Sequence, residues 1–311
     1  MALYRRHLLA TAMALPALGA RAADSKTLRM GFQKGEPILM AAKVNQTLEK
    51  LLAPQGYGVQ WVEFQFGPPM LEAMRVGSID FGAVGDTPPI FAQAARGDLR
   101  YVAAQLAGKQ AILLPAGSAI KTAADLKGRK LAFGRGSAAH NFALMVLEKA
   151  GLRYDQIEPV YLGPADAGAA FERGAIDAWS IWDPYYALFE NRPGVRILTT
   201  NAEIGQQNSF FIANGGFVRA NQALTSTLVD TFTETAAWAR DHKEEVATLL
   251  AGATGMQLDV MRRAIGRDPF VVRRMDDALI QSQQKVADRF RAIGLVPVDI
   301  KISDIVWRVN V

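Results

Sequence analysis

The stretch Ala73–Asp80, AMRVGSID, recurs in pattern as Ala170–Asp177, AFERGAID. Glycine, isoleucine and aspartate repeat at one offset of 97 residues (174 minus 77), and Asp86 repeats at that offset as Asp183. In each copy an amphipathic helix ends at glycine, a short apolar strand follows, and a polar residue opens a turn that contains proline. The sequence therefore predicts two similar α/β units with a cleft between them. The equal spacing alone does not exclude a chance similarity between the two stretches.

Composition limits the classes of protein that are possible. The chain has 311 residues, half of them hydrophobic, which is enough for about two domains. It has no cysteine, so disulfides, thiolate nucleophiles and thiolate metal sites are excluded. The three histidines, His7, His140 and His242, are far apart in sequence. We therefore expect no cofactor and no metal, although a site made only of carboxylates stays open.

The first residues have the order of a secretory signal peptide. Arg5 and Arg6 precede an apolar stretch from Leu8 to Leu18, and small residues surround Ala22. This apolar run is too short to span a bilayer; a buried first helix is the alternative. We predict a signal peptide over residues 1–22, cleaved near Ala22, and a periplasmic protein. Removing it lowers the net charge from +5 to +2 (32 basic minus 30 acidic residues), so the charge gives no reason to expect nucleic-acid binding.

Short apolar runs alternate with helical patterns through the first two thirds of the chain. This alternation predicts a largely parallel sheet whose ligand site lies at the carboxyl ends of the strands. The predicted strands are 27–33, 59–64, 79–84, 111–115, 130–133, 159–161, 176–181 and a crossing strand at 209–217. The predicted helices are 37–53, 69–76, one beginning near Pro88, 138–150, 165–173, 224–241, 243–251, 258–265 and 271–293.

Three predicted junctions between strand and helix carry glycine next to a helix start. They are Gln33–Pro37 (QKGEP), Gly85–Pro89 (GDTPP) and Gly134–Ser137 (GRGS). Thr87 and Ser137 are suitable N-cap residues for the helices that follow. Free N–H groups and the positive end of a helix dipole make each junction a candidate anion site. Capped helix starts are also common in α/β proteins with no ligand there.

Aromatic residues and one histidine are further candidates. Trp182 precedes Asp183 and Pro184, where an aromatic cluster would suit an apolar ligand tail or the core. Phe211, on the predicted crossing strand, has the same two alternatives. His140 is either a general base or a residue with a structural role. No Ser-His-Asp order, P-loop or dinucleotide fingerprint occurs in the strand and helix context that such a motif requires.

Several of these segments together resemble the periplasmic aliphatic-sulfonate-binding proteins of ABC importers, with matching order and spacing over nearly the whole mature chain. The segments are 31–35 (GFQKG), 85–89 (GDTPP), 136–141 (GSAAHN), 147–152 (LEKAGL), 164–166 (PAD) and 179–185 (WSIWDPY). The resemblance implies an α/β, two-lobed periplasmic-binding-protein fold of type II with two hinge crossovers and a cleft between the lobes. It implies lobe I from residues 23–107 plus 210–311 and lobe II from residues 108–209, with hinges near 106–109 and 208–213.

The same resemblance implies a function and a site. A small anion, an alkanesulfonate, is captured for sulfur uptake and delivered to an ABC permease and its ATPase at the inner membrane by a monomeric protein. A sulfonate is fully ionised and offers only acceptors, so its site needs hydrogen-bond donors. Thr87 and Ser137, from opposite lobes, are expected to face it. The expected ligand-binding residues are Gln33, Gly85, Asp86, Thr87, Gly136, Ser137, His140, Trp182, Asp183 and Phe211.

Two other functions stay open at this point. Receptors for nitrate, taurine or a thiamine precursor share the implied fold. A secreted enzyme on a two-lobed scaffold would use His140 as base and Asp183 as its partner. Phosphate also stays open as a ligand, because Asp86 or Asp183 could accept its proton.

Overall fold

The computed structural model describes residues 26–308, so the predicted signal peptide lies outside the described residues. The strands are β1 (Lys26–Phe32), β2 (Tyr57–Glu63), β3 (Phe81–Gly85), β4 (Leu99–Leu106), β5 (Gln110–Leu114), β6 (Lys130–Phe133), β7 (Glu158–Tyr161), β8 (Ala178–Trp182), β9 (Arg196–Thr200), β10 (Asn208–Asn214) and β11 (Val272–Arg274).

The helices account for most of the remaining chain. They are α1 (Pro37–Val44), α2 (Thr47–Leu52), α3 (Gly67–Arg75), α4 (Pro88–Ala94), α5 (Ala138–Lys149), α6 (Pro164–Glu172), α7 (Tyr185–Phe189), α8 (Asn201–Ile204), α9 (Gly215–Ala220), α10 (Gln222–Asp241), α11 (Lys243–Thr254), α12 (Leu258–Gly266) and α13 (Asp277–Ala292). Within residues 26–308, no helix combines the length and apolar character needed to cross a bilayer.

The strands form two sheets with the same internal arrangement. The six-stranded sheet has the order β11-β4-β10-β3-β1-β2, and the five-stranded sheet has the order β7-β6-β8-β5-β9. In the first, β1 is parallel to β2 and β3, and β10 is antiparallel to β3 and β4. In the second, β6 is parallel to β7 and β8, and β5 is antiparallel to β8 and β9. Five strands of one sheet therefore correspond to the five strands of the other.

The sequence repeat coincides with this structural repeat. The backbone N–H of Asp80 donates to the carbonyl of Arg29 (2.9 Å), and that of Asp177 donates to the carbonyl of Lys130 (2.9 Å). Each aspartate carboxylate in turn accepts the backbone N–H of the same partner at 2.8 Å. The repeat glycine has a positive φ in both copies, which favours glycine over other residues. The repeated aspartate thus joins the start of its strand to the neighbouring parallel strand.

The chain passes between the two sheets twice, through residues 107–109 and 201–207. The two connections contact each other, because Ala107 N–H donates to the Gln207 carbonyl (3.0 Å) and the Gln206 side chain donates to the Ala107 carbonyl (2.9 Å). The prediction of a hinge at 208–213 was wrong: these residues lie in β10, which is paired on both sides. The lobe boundaries 107/108 and 209/210 stay a proposal: the first falls within a connection, and the second falls within β10, two residues after the second connection ends.

Several differences between the predicted and the observed elements have local causes. The predicted helix 37–53 is interrupted at Gln46, which has a left-handed backbone (φ 53°). The predicted helix 271–293 is the short edge strand β11 followed by α13, with Asp276 accepting the Leu279 N–H as an N-cap. Strands β4 and β9 were not predicted. The predicted strand 209–217 ends at Asn214, whose side chain accepts the Phe217 N–H and starts α9.

Candidate ligand-binding cleft

A cleft lies between the two sheets, and its walls come from both lobes and from the first connection. Its lining includes the ends of β1, β3 and β8, the starts of α1 and α5, and one face of α11 and α12. The polar and glycine residues of the lining are Gln33, Lys34, Gly35, Glu36, Gly67, Gly85, Gly108, Lys109, Gln110, Ser137, Asp183, Ser209 and Asp268. The apolar lining consists of Pro37, Pro88, Ala107, Ala138, Trp182, Pro184, Leu250, Met261, Ala264 and Ile265.

Two glycines allow the lobes to meet at the cleft. A Cβ atom placed on Gly85 would lie 2.5 Å from the Cβ of Ala138, at the start of α5 in the other lobe. A Cβ atom on Gly35 would lie 2.8 Å from Nε1 of Trp182. Neither position has space for a side chain in this arrangement. The structure therefore describes the lobes in contact across the cleft.

The start of α5 is the best-formed anion site of the cleft. The first two amides of this 12-residue helix, those of Ala138 and Ala139, have no acceptor in residues 26–308, whereas the His140 N–H donates to the Ser137 carbonyl (3.0 Å). The helix dipole is positive at this end. Ser137 is the N-cap residue by position, but its hydroxyl donates to the Gly134 carbonyl (2.7 Å) and does not cap the helix. The predicted capping by the Ser137 side chain was therefore wrong, although Ser137 does line the cleft.

Asp86 and Thr87 lie next to the cleft but are not part of its lining. The Thr87 hydroxyl is fully buried and donates to the Asp86 carboxylate (2.8 Å) instead of capping α4. The same carboxylate accepts from the side chains of Asn141 (2.6 Å) and Gln207 (2.8 Å). Burial raises the pKa of Asp86, and these three donors oppose that increase. Asp86 therefore connects lobe I to α5 of lobe II and to the second connection.

Asp183 lines the cleft and forms a second link between the lobes. Arg267, after α12, donates to both of its carboxylate oxygens at 2.7 Å. Arg267 also donates to Glu190 (3.0 Å) and stands over the Tyr186 ring, 4.1 Å from its centroid. Burial raises the pKa of Asp183, and the Arg267 guanidinium opposes it. This paired carboxylate is not free to accept a proton from a ligand.

His140 is a buried aromatic residue and does not line the cleft. Its ring stacks on Phe133, with centroids 4.5 Å apart, and contacts the Phe290 ring at 4.9 Å. The Gly136 N–H donates to Nδ1 (3.2 Å), so the ring proton is on Nε2, which has no partner in the described part of the chain. Burial and the charge of Arg135 lower the pKa of His140 to about 3. The pairing with Asp183 that an enzyme would need is not formed.

The neutral state of His140 predicts a specific dependence of stability on pH. The unfolded state binds a proton near pH 6.5 and the folded state only near pH 3, so stability from this group is lost as the pH falls below 6.5. We expect a loss of about 1.4 kcal/mol per pH unit in the free energy of unfolding. Denaturant unfolding of wild type and His140→Phe between pH 4 and 7 would measure it. Parallel pH profiles of the two proteins would contradict this assignment.

The other expected site residues take different places. Gln33 lines the cleft, and its Nε2 donates to the Ala83 carbonyl (2.8 Å). Trp182 also lines it, whereas Gly136 lies behind it, donating to His140. Phe211 is fully buried in the core of lobe I, stacked on Phe232 with centroids 5.1 Å apart. We therefore withdraw Phe211 from the proposed site.

Sequence reasoning missed six polar residues of the cleft. Lys34 and Glu36 belong to the QKGEP junction, so their positions were indicated but their roles were not. Lys109 ends the first connection, Gln110 begins β5, Ser209 lies in β10, and Asp268 follows α12. Nothing in the local pattern around Asp268 marks a site. The described residues hold no group of three or more His, Asp and Glu residues suited to a metal ion.

Two α/β lobes joined by paired connections, with a polar cleft that both lobes line, define a two-lobed binding protein of the type II periplasmic-binding-protein fold. Solved structures share this architecture. The periplasmic aliphatic sulphonate binding protein SsuA from Escherichia coli aligns with a TM-score of 0.81 and 41% identity, over 91% of this chain and 92% of that one. The alkanesulfonate-binding protein SsuA from Xanthomonas axonopodis pv. citri, bound to MOPS, aligns with a TM-score of 0.85 and 37% identity, over 92% and 100%. The predicted fold class is confirmed.

Sequence comparison places the chain within one family. The NMT1/THI5 like family model matches residues 62–246. A protein of Escherichia coli (strain K12) named as an aliphatic sulfonates-binding protein is 42% identical over 294 residues, which are 93% of this chain and 92% of that protein. The chain belongs to the NMT1/THI5-like family and, within it, to the aliphatic sulfonate-binding proteins. The resemblance stated from the sequence is thereby confirmed.

Proposed function

We propose that this chain is the periplasmic substrate-binding component of an ABC importer. It captures an aliphatic sulfonate for sulfur uptake and delivers it to a membrane permease. The observation that carries this proposal is the cleft, which is lined by the start of α5 from one lobe and by the QKGEP segment from the other. The names of the relatives with 41% and 42% identity support the same ligand class.

The chemistry of the cleft suits a sulfonate head group with an apolar tail. The head group offers only acceptors, and the first-turn amides of α5 together with Lys34 and Lys109 provide donors and positive charge. Both lysines line the cleft, and the nearest ion partner of Lys34 is Glu63 at 3.7 Å. Trp182, Leu250, Met261 and Ile265 offer apolar surface for the tail. We assign the head group to the α5 end.

The remaining parts of the proposal follow from this role. The protein acts as a monomer, without catalysis, and binding closes the lobes about residues 107–109 and 201–207. The closed form is presented to the permease, whose ATPase drives import. Export to the periplasm, with cleavage of the signal peptide near Ala22, belongs to the same proposal.

A melting screen tests the ligand class directly. We expect ethanesulfonate and longer alkanesulfonates to raise the unfolding midpoint by several degrees, because a ligand at 100 times its Kd stabilises the folded state by about 2.7 kcal/mol. Nitrate, sulfate and phosphate at equal ionic strength are the control anions and should leave the midpoint within about 1 °C. A shift with nitrate or phosphate and none with any sulfonate would overturn the proposed function.

A further inference from the structure

Besides its donors, the cleft contains a group of hydrogen-bond acceptors that a sulfonate does not use. Glu36, Asp268 and Gln110 all line it. A sulfonate is acceptor-only and negatively charged, so it gains nothing from ionised carboxylates or an amide oxygen. These residues therefore indicate a second feature of the ligand.

Glu36 is a buried carboxyl without a cationic partner. It is 6% exposed, and the side-chain amide of Gln105 is its hydrogen-bond donor. In the described part of the chain, no lysine or arginine is recorded in an ion pair or hydrogen bond with its carboxylate. Burial, with repulsion from Asp268, raises the pKa of Glu36 to about 8, and the Gln105 amide opposes the increase. Burying a carboxyl without a cationic partner costs folding free energy, and such groups are typical of binding sites.

Asp268 and Gln110 add further acceptors at the same cleft. One carboxylate oxygen of Asp268 accepts the Phe270 N–H (2.9 Å), and a Cβ atom placed on Gly108 would lie 3.1 Å from the other oxygen. Gln110 is 2% exposed, and its side-chain oxygen has no partner in residues 26–308. A buried, unpartnered amide oxygen in a cleft is an independent sign of a missing donor.

Two charged groups near these acceptors, Asp183 and Lys243, bind other partners. Asp183 repels Asp268 but is itself paired with Arg267. Lys243 approaches Asp268 and lowers its pKa, while its Nζ donates to the carbonyls of Gly266 and Asp268 (2.8 Å each). Burial first, then repulsion by Asp183, raises the pKa of Asp268 to about 7. Lys34 and Lys109, the other cations of the cleft, make no recorded ion pair with Glu36 or Asp268 in the described residues.

We propose that Glu36 and Asp268, with the side-chain oxygen of Gln110, form a subsite for a protonated amine on the ligand. The preferred ligands are then zwitterionic sulfonates, in which an ammonium or a protonated ring nitrogen is separated from the sulfonate by a short apolar linker. The ammonium supplies donors and positive charge to these three acceptors. This inference rests on the proposed function, because it places a second group of the same ligand in the same cleft.

The subsite also explains how simple alkanesulfonates can be accepted. Near pH 7 the Glu36 carboxyl of the unliganded protein holds its proton and repels no anion. An incoming ammonium favours the ionised carboxylate, so binding of a zwitterion displaces this proton. A simple alkanesulfonate leaves the proton in place. The two ligand types are therefore distinguished by proton release as well as by affinity.

Calorimetry with 3-aminopropanesulfonate and propanesulfonate tests the subsite in the wild-type mature protein. We expect the amine-bearing ligand to bind at least about tenfold more tightly, equivalent to about 1.4 kcal/mol. At pH 7, titrations in two buffers of different ionisation enthalpy should show net proton release with 3-aminopropanesulfonate and none with propanesulfonate. Equal affinities without proton release would overturn the subsite.

Substitution then assigns the effect to Glu36. Glu36→Gln keeps the size of the side chain and cannot ionise, so it should abolish the preference and reduce the proton release while changing propanesulfonate affinity less than about threefold. Glu72→Gln is the matched control, because it removes an exposed carboxylate (62%) of the same lobe whose ion partner, Arg75, does not line the cleft; it should keep both effects. A preference and proton release that persist in Glu36→Gln would overturn the assignment.

Two further outcomes separate the proposals. If Glu36→Gln fails to fold, the wild-type proton count and the variant Asp268→Asn, which should reduce the preference in the same direction, still decide the question. If neither sulfonate binds the wild-type protein, the proposed function fails. If propanesulfonate binds and the amine gives no advantage, the subsite alone is overturned.

Discussion

Gly85→Val is expected to lower sulfonate affinity about 100-fold, equivalent to about 2.7 kcal/mol, while the unliganded protein keeps its unfolding midpoint. The three atoms nearest to a Cβ atom placed at this position all belong to Ala138 of the opposite lobe. The added side chain therefore meets the opposite lobe first. It holds the lobes apart, and overpacking of this size costs about 1 to 3 kcal/mol. Calorimetry gives the affinity, and thermal unfolding without ligand gives the stability.

A second-site change separates lost closure from local damage. The next atoms of Ala138 beyond its Cβ lie 3.6 Å from the placed Cβ atom, which is ordinary contact. Adding Ala138→Gly to the Gly85→Ala variant should therefore restore sulfonate affinity. The double variant should bind within about threefold of the Ala138→Gly single variant. Gly252→Ala, in α11, is the control, because a Cβ atom there meets nothing within 4 Å. Failure of Ala138→Gly to restore binding would contradict an obstruction between the lobes.

Arg267→Gln is expected to cost about 3 to 5 kcal/mol in the free energy of unfolding of the ligand-saturated protein. The substitution leaves Asp183 (10% exposed) without its guanidinium, whereas Glu190 (9% exposed) keeps Arg263 at 3.3 Å. Arg267 comes from lobe I and the two carboxylates come from lobe II, so lobe opening can relieve part of this cost. The measurement is therefore made at saturating sulfonate, where both lost affinity and lost stability are counted.

The pH dependence of the stability loss in Arg267→Gln tests whether the loss comes from the unpaired carboxyl. Burial already raises the pKa of Asp183, and removing Arg267 removes the interaction that opposes this increase. A carboxyl whose pKa is higher in the folded state destabilises that state as the pH rises through this pKa. The deficit of the variant should therefore be largest at pH 7 to 8 and smaller at pH 5. Arg262→Gln, which breaks the exposed Arg262–Glu244 pair between α12 and α11, should leave stability close to that of the wild type at either pH.

The sequence predicted the repeated part of the fold because local pattern and tertiary role agree there. The helix, glycine and strand around Gly77 and Gly174 are short-range features, and each recurs in the same place of its sheet. Strands β4 and β9 were missed because neither has a local signal as clear as that repeat. Strand β11 has three residues, two of them arginine, so its pairing with β4 depends on the fold rather than on its own sequence.

The candidate site was predictable only where it follows strand ends. Gln33, Gly85, Ser137 and Asp183 all follow or end a strand, and all four line the cleft. Asp268 is brought there by the packing of α12 against the other lobe, which no local pattern encodes. Phe211 could not be assigned from sequence, because a central strand is buried on both faces and its alternation does not distinguish core from cleft.

The position of β10 has a consequence for the order in which the protein can fold as it emerges from the ribosome or a translocation channel. The five-stranded sheet uses only residues 110–200, so it can be completed as soon as that segment is free. The six-stranded sheet has β10 at its centre, so β3 and β4 each keep an open edge until residue 214 has appeared. During that interval the first half of lobe I is an aggregation-prone intermediate that a chaperone would recognise.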